Sequence, residues 1–470
     1  MPRSARVHPN HREVVAIALK RNGFLTQGDL AAHLEVALST VNNFCRCVNV
    51  SVAKFEEICE ALGLEARALI RETVQPASDL SPVGEAEEKA AENFFAYDRM
   101  WVGREALSET LLSKLKGSCR LLVLAGISGV GKTAFAERLA LGLRPMQLLR
   151  ENFDDQDQAV DFGSFAARLL EKCAQPVTAE ERQNPQQLGR RLAQYLKETA
   201  HLVVIDSFEK VLSGGDQGQS VFQDSDYLGW LQLVLSAETC KSRILITSQA
   251  VPATLIQAGS RYPNFWHLAP LMGLSSVEQL MLFEKTGFDV HSEAATRNYL
   301  ERIGQAYSGH PLALRVITGE IGSRPFFGNV AAYWKRYGKE IEAVETALAE
   351  AAAGNIQGAD DDWQLDRFSR ALRQNVRQRL EQTFERLNQE ARYAYVLLCE
   401  SSVYRCAVPE DWWLSHLEFW DCDEQDQEAA LEALRDRALV EVVVEQDEWR
   451  VKQHTLIRSV SLAHLNELKP

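Results

Sequence analysis

The chain has 470 residues, 46% hydrophobic and 25% charged, with a formal net charge of −14. That length points to about three domains, and that composition excludes a disordered chain. No stretch reaches the roughly 18 consecutive apolar residues of a transmembrane helix, and the opening MPRSARVHPNHREVV lacks a signal-type apolar core, so a cytoplasmic protein with no membrane partner is expected.

The charge is unevenly spread. Residues 1–75 hold nine Lys/Arg against eight Asp/Glu, leaving the remainder at −15. Any nucleic-acid contact therefore belongs at the N-terminal end, and the acidic body keeps its affinity modest. The nine cysteines are scattered; the close pair Cys45 and Cys47 has no companion pair at zinc-site spacing, so buried or incidental thiols are expected.

Taken in order, residues 1–75 show helical spacing without strand alternation. Helices are predicted over 11–21, 53–62 and 65–71, with a further pair in TQGDLAAHLEVALSTVNNFCR (26–46). In that pair Leu30, Ala31 and Leu34 form one inner face, Val41 and Phe44 the next, and Ser39 or its neighbour is placed to cap the second helix. This is helix-turn-helix spacing in a five-helix bundle. It resembles the Cro/repressor (XRE-type) class, with Thr26 and Gln27 opening the first helix and Glu35 at the turn position where glycine is usual. As a DNA reader, such a bundle lays its second helix in the major groove. Leu38, Ser39, Thr40 and Asn43 would face base edges, and Gln27, Asn42 and Arg46 would contact phosphate or base. Such bundles also recruit proteins, and only Arg46 and Lys54 supply nearby positive charge, so double-stranded DNA and a protein effector both stand as partners.

A Pro-, Ser-, Ala- and Glu-rich stretch over 76–97 reads as a linker. Over 98–266 short apolar runs, LLVLAG, HLVVID and RILITS, alternate with helical stretches, which predicts a doubly wound α/β domain with buried parallel strands. Between the first run and the helix AFAERLALGL lies GISGVGKT (126–133), which satisfies GxxxxGK[ST]. Glycines let backbone N–H groups wrap phosphates and the helix N-terminus adds positive potential. Gly126, Ser128, Gly129, Val130, Gly131, Lys132, Thr133 and Ala134 form the candidate cradle for ATP or ADP. Lys132 would reach the β/γ-phosphates and the Thr133 hydroxyl would ligate Mg²⁺. Asp206, ending LVVID, is the second metal-side group, and Glu209 is the candidate to orient or deprotonate an attacking water.

Residues 267–348 are helical in pattern, beginning with the capping-box spacing of Ser275 and Glu278. A second connection is predicted over 349–372. Residues 373–470 hold several helices and then EVVVEQDEWRVKQH, which alternates around a polar turn, so a C-terminal winged helix is predicted.

GISGVGKTAFA, VVIDSFEKVL, ILITSQ and GHPLAL, in that order, resemble the NB-ARC branch of the STAND signal-transduction ATPases. WVGREALSETL is similar to the family's VGRE segment and QHTLIRSVSLAHL to its MHD region. The resemblance implies that Val102 and Arg104 lie near base and phosphates, that Pro311 packs on the nucleotide, and that His454 touches the ADP β-phosphate. It also implies a helical ARC-like domain over 267–348, with ADP holding the winged helix closed and ATP driving homo-oligomer formation. Ser207 stands where a second acid is usual, Gln249 where many relatives carry an arginine, and Thr455 where MHD has aspartate. These departures favour a weak regulatory ATPase. The expected function is a nucleotide switch with transcriptional output through DNA; the alternative is a signalling or defence scaffold that recruits a protein effector.

Overall fold

The computed structural model describes residues 4–8, 11–22, 24, 27–70, 101–143, 146–155, 161–214, 220–291, 294–353, 367–420, 422–445 and 448–468. Thr26, the linker expected over 76–97, and residues 354–366 of the second expected connection lie outside the described residues. The chain divides into two compact units. One comprises 1–103, 274–357 and 370–470; the other comprises 104–273 with 358–369.

The first unit opens with a short ladder, β1 (Ser4–Ala5) against β2 (Val50–Ser51), and five helices: α1 (Arg12–Arg21), α2 (Gln27–His33), α3 (Leu38–Cys45), α4 (Val52–Ala61) and α5 (Ala66–Ile70). Leu30, Ala31, Val41, Phe44, Phe55 and Ile58 are buried among them, the residues that helical spacing selects. Glu35 takes the turn in a left-handed conformation, φ 52°. The expected side-chain cap on α3 is absent: Ala37 holds the N-cap position without a side-chain bond. Ser39 lies one residue inside the helix, and its hydroxyl donates elsewhere, to Asp436 at 2.5 Å.

In the second unit α6 (Glu105–Lys116) precedes β3 (Leu121–Ala125) and α7 (Lys132–Leu141). Then follow β4 (Gln147–Asn152), α8 (Phe162–Lys172), α9 (Ala179–Arg182), α10 (Pro185–Glu198), β5 (His201–Asp206) and a small hairpin, β6 (Leu212–Gly214) with β7 (Ser220–Phe222). The unit closes with α11 (Asp226–Ser236), β8 (Arg243–Ser248), α12 (Ala253–Ser260) and β9 (Trp266–Pro270). Five strands form one parallel sheet in the order β4-β5-β8-β3-β9. β8 thus lies between the strand that feeds the glycine loop and the strand that ends in Asp206. One face is filled by an aromatic core of Phe153, Phe162, Phe165, Phe208, Tyr227 and Trp230.

The remainder of the first unit contains α13 (Ser276–Lys285), α14 (Ala294–Ala306), α15 (Pro311–Gly322), α16 (Val330–Ala353), α17 (Arg367–Glu390, from residue 370 onward in this unit) and α18 (Arg392–Glu400). β10 (Val408–Pro409), α19 (Glu410–Leu414), α20 (Glu424–Asp436), β11 (Glu441–Glu445), β12 (Glu448–Lys452) and α21 (Thr455–Leu465) follow. Ser275 and Glu278 form the capping box of α13 that the sequence predicts. β11 and β12 pair as the expected antiparallel hairpin, with β10 added on the far side of β12. Residues 349–353, expected in a connection, instead continue α16. That helix is held to α14 by Tyr299 stacked on Trp334, centroids 4.8 Å apart, and by Arg302 bonded to Glu345 at 2.7 Å.

A buried ion network joins α15, α16 and α17. Glu320 accepts from Arg379, from Thr383 at 2.5 Å and from Arg386 at 2.7 Å, while Arg379 also donates to the Tyr333 hydroxyl at 2.6 Å. Burial alone would raise the Glu320 pKa; the two guanidinium groups outweigh it and hold the carboxyl below its ordinary value.

In the second unit, buried Arg120 at the entry to β3 ties the sheet to the end of α11. Its guanidinium donates to the carbonyls of Val234 (3.2 Å), Leu235 (3.2 Å), Ala237 (2.6 Å) and Glu238 (3.1 Å) and lies 3.7 Å above the Phe265 ring. Those carbonyls have few other partners at a helix C-terminus. Arg120→Met is expected to lower unfolding stability by about 2–4 kcal/mol, measured by denaturant titration.

Candidate nucleotide-binding site

The loop after β3 is shaped by two glycines at positive φ, Gly129 (80°) and Gly131 (94°), of which Gly131 caps α7. Gly126 answers a different need: a Cβ there would stand 2.8 Å from the Leu271 carbonyl oxygen. Lys132 is buried and folds across the loop, donating to the carbonyls of Gly126 (2.9 Å) and Ile127 (3.1 Å). In loops of this kind backbone amides and the lysine ammonium together hold a polyphosphate. Arg104 enters from the N-cap of α6, donating to Val130 O at 2.9 Å and Met272 O at 2.8 Å. Its guanidinium therefore lies against the loop. Val102 is buried in the first unit.

Asp206 is buried at the end of β5 and accepts from Thr133 Oγ1 at 3.0 Å. Thr247 Oγ1, near the end of β8, donates to the same carboxylate oxygen and accepts from Ser207 N at 3.1 Å. Arg150 of β4 lies 3.9 Å from the other Asp206 oxygen and bonds Glu137 at 2.7 Å. Sequence reasoning missed Thr247 and Arg150. A polar residue closing an apolar strand was the only signal for Thr247, and Arg150 carried none.

Ser207 turns the chain sharply, φ 59°, into a short 3-10 helix, Phe208–Val211. Phe208 and Val211 are buried, which fixes Glu209 between them. The Glu209 carboxylate takes two bonds from one residue: Gln249 N at 3.0 Å and Gln249 Nε2 at 2.7 Å. In this arrangement both carboxylate oxygens are engaged by Gln249.

The donor set fits Mg²⁺. That ion takes one or two carboxylates, with phosphate and water completing its octahedron, and here a hydroxyl and a carboxylate oxygen stand 3.0 Å apart beside the phosphate loop. An all-acid cage is not required, and among the described residues no group of three or more His, Cys, Asp or Glu side chains could hold a metal.

The other expected site residues belong to the first unit. Pro311 opens α15 just after the buried His310, whose Nδ1 accepts from Ala313 N at 3.3 Å. His454 caps α21, its Nδ1 accepting from Leu456 N at 3.1 Å, so the neutral ring carries its proton on Nε2. Of the residues expected at DNA, Gln27 opens α2 and the rest lie on or next to α3. Leu38, Thr40 and Asn42 are buried, at 2%, 4% and 5% exposure; Ser39, Asn43 and Arg46 are partly exposed.

Residues 92–265 match the family model described as Novel STAND NTPase 1. An uncharacterized WD repeat-containing protein of Nostoc sp. (strain PCC 7120) is 25% identical over 232 residues, 46% of this chain. The match spans only 17% of that protein's length. Among solved structures, the Aeropyrum pernix ORC2 protein aligns at 12% identity and a TM-score of 0.31, covering 84% of this chain and 96% of its own. The replication initiator DnaA, bound to AMPPCP and single-stranded DNA, aligns at 14% identity and a TM-score of 0.33, covering 73% and 92%. Structural likenesses this slight carry no argument about function. Over residues 92–265 the chain is thus similar to the STAND NTPases, and the loop after β3 has the geometry of a phosphate loop. No helix among the described residues is long and apolar enough to cross a membrane.

Because Gln249 engages both oxygens of Glu209, Gln249→Ala is expected to raise basal phosphate release about three- to tenfold. Adding Glu209→Ala should abolish that gain. A coupled phosphate-release assay on the single and double variants reads both.

Proposed function

We propose that this chain is a cytoplasmic signalling switch. It binds ATP or ADP with Mg²⁺, hydrolyses ATP slowly, assembles into homo-oligomers in the ATP form and acts on duplex DNA through residues 1–75. The observation that carries the switch reading is the geometry at Asp206 and Glu209. The metal-side carboxylate is complete with its two threonine hydroxyls, while the candidate base is held by a neutral amide. Such a site is built to bind tightly and turn over slowly.

The residues divide the work as follows. The loop 126–133 supplies amide donors and the Lys132 ammonium to the β- and γ-phosphates. Mg²⁺, when bound, neutralises phosphate charge and draws on Thr133 and Asp206. Glu209 orients a water, and its release from Gln249 sets the rate. Pro311 packs on the nucleotide. His454, with its proton on Nε2, is in the tautomer that donates to a phosphate oxygen. Val102 and Arg104 complete the base and phosphate contacts. Hydrolysis then times the active state.

Support for DNA output comes from α2 and α3, two short helices joined at Glu35, with a near-neutral charge over 1–75 against an acidic remainder. Single copies would bind weakly, and oligomers would gain from effective concentration. A second reading, in which this bundle recruits a protein effector, draws on the burial of Leu38, Thr40 and Asn42 against protein rather than solvent.

Lys132→Ala is expected to lower nucleotide affinity at least about a hundredfold, read by titration calorimetry; stoichiometric ADP co-purifying with that variant would refute the site. Selection from a random duplex pool, with protein loaded with ADP and then with a non-hydrolysable ATP analogue, tests the output. A motif enriched in the ATP form supports DNA control. No enrichment in either state, with a protein retained by residues 1–75, supports the effector reading.

A further inference from the structure

The face of α3 that carries the candidate DNA contacts is covered by the rest of its own unit, and the cover has a definite chemistry. Leu38, Ser39, Asn42 and Arg46 recur at helical spacing along one side. Ser39 Oγ donates to Asp436 Oδ1 at 2.5 Å, and Thr40 Oγ1 donates to the same oxygen at 3.2 Å. Asn42 Nδ2 donates to Lys285 O at 3.1 Å, and Arg46 Nη2 to Glu284 O at 3.3 Å. Leu38 is set among three glycines: a Cβ on Gly287, Gly322 or Gly328 would stand 3.4, 3.6 or 2.9 Å from it. At the rim, Glu35 pairs with Arg324 at 2.6 Å, both side chains exposed.

Every partner of these polar side chains is an oxygen acceptor, and each comes from the C-terminal end of a helix. Asp436 is the last residue of α20; Glu284 and Lys285 are the last two of α13. Helix C-termini carry partial negative charge, to which Asp436 adds a carboxylate. Two electronegative helix ends thus present to α3 the kind of surface that phosphate and base-edge acceptors present in a groove. Burial pushes the Asp436 pKa up, while the Ser39 and Thr40 hydroxyls oppose that shift. A carboxylate so placed regains hydration when α3 leaves, which offsets the bonds lost and keeps the closed form displaceable.

We propose that the ends of α13 and α20, with the glycine socket around Leu38, form an intramolecular cover that stands in for nucleic acid, so that α3 engages either this cover or duplex DNA. This rests on the DNA reading given above. Affinity for DNA is then reduced by the fraction of molecules in which α3 is free.

The test uses the full chain and changes only the cover. Asp436→Lys places a cation against Ser39 and Thr40, Gly322→Met fills the seat of Leu38, and Arg324→Glu sets like charge opposite Glu35 at an exposed position where folding is not at risk. Hydrogen exchange over 38–45 reads release, exchange over the buried core of α18, 394–399, reads the integrity of the same unit, and anisotropy of a labelled random-sequence duplex at low salt reads binding. The expected result is faster exchange over 38–45, unchanged exchange over 394–399, and duplex affinity raised at least about tenfold for Asp436→Lys and Gly322→Met and about two- to threefold for Arg324→Glu. Wild-type protein binding the duplex as tightly as the released variants would overturn the cover while leaving the DNA reading intact. Released variants that bind no duplex would overturn the DNA reading, and with it the partner named here.

Discussion

A carboxylate buried at the end of a strand is costly unless donors surround it, and the site is organised around meeting that demand at Asp206. Thr133, in the first turn of α7, and Thr247, on β8, both donate to one of its oxygens. Thr247 also receives the N–H of Ser207, the residue at which the chain turns left-handed. From there Phe208 enters the aromatic core against Phe153 and Tyr227, and Glu209 is held by Gln249. The phosphate loop, the metal-side acid and the candidate base are therefore not independent features. Thr133, Thr247 and Ser207 meet through one oxygen of Asp206, so a metal entering between Thr133 and Asp206 would disturb that shared contact.

What the sequence revealed was what is local. The cradle falls within nine consecutive residues, 126–134, that run from the end of a strand into a helix, and the capping box of α13 spans four. Each could be read without knowing the fold. Thr247 and Arg150 could not, because they reach Asp206 only through the strand order, and sheet order is set by crossovers that no short motif encodes. The same limit explains the small errors. An Ala-rich tail after Tyr337 has composition compatible with either linker or helix; α16 runs through it to Ala353, and upstream Trp334 and Glu345 fix the helix to α14. Ser39 has the chemistry of a cap, but a cap must precede the first turn, and Ala37 is there instead.

Two kinds of contact hold the helices of the first unit. Around Glu320, charge is taken out of water and repaid only by nearly complete pairing with Arg379, Arg386 and Thr383. Elsewhere the device is the absence of a side chain. A Cβ at Gly319 would come within 2.6 Å of the backbone of Arg437, so α15 and the end of α20 approach at a distance only glycine permits. The first kind of contact resists substitution through electrostatics, the second through volume, and both converge on α15.

The interior position of β8 has a consequence for how this protein could change over evolutionary time. Its register pairs Ser248 with Ala125 on one side and Ile246 with Ile205 on the other. A single-residue insertion or deletion within 243–246 would exchange the two faces of the strand, turning Thr247 away from Asp206 and bringing Ile246 (insertion) or Ser248 (deletion) to its place. Gln249 would move out of step with Glu209 at the same time. Length variation is therefore confined to the turn before the strand, 237–242, and lineages that lengthen or shorten that turn should still keep the count of residues from Arg243 to Gln249 unchanged.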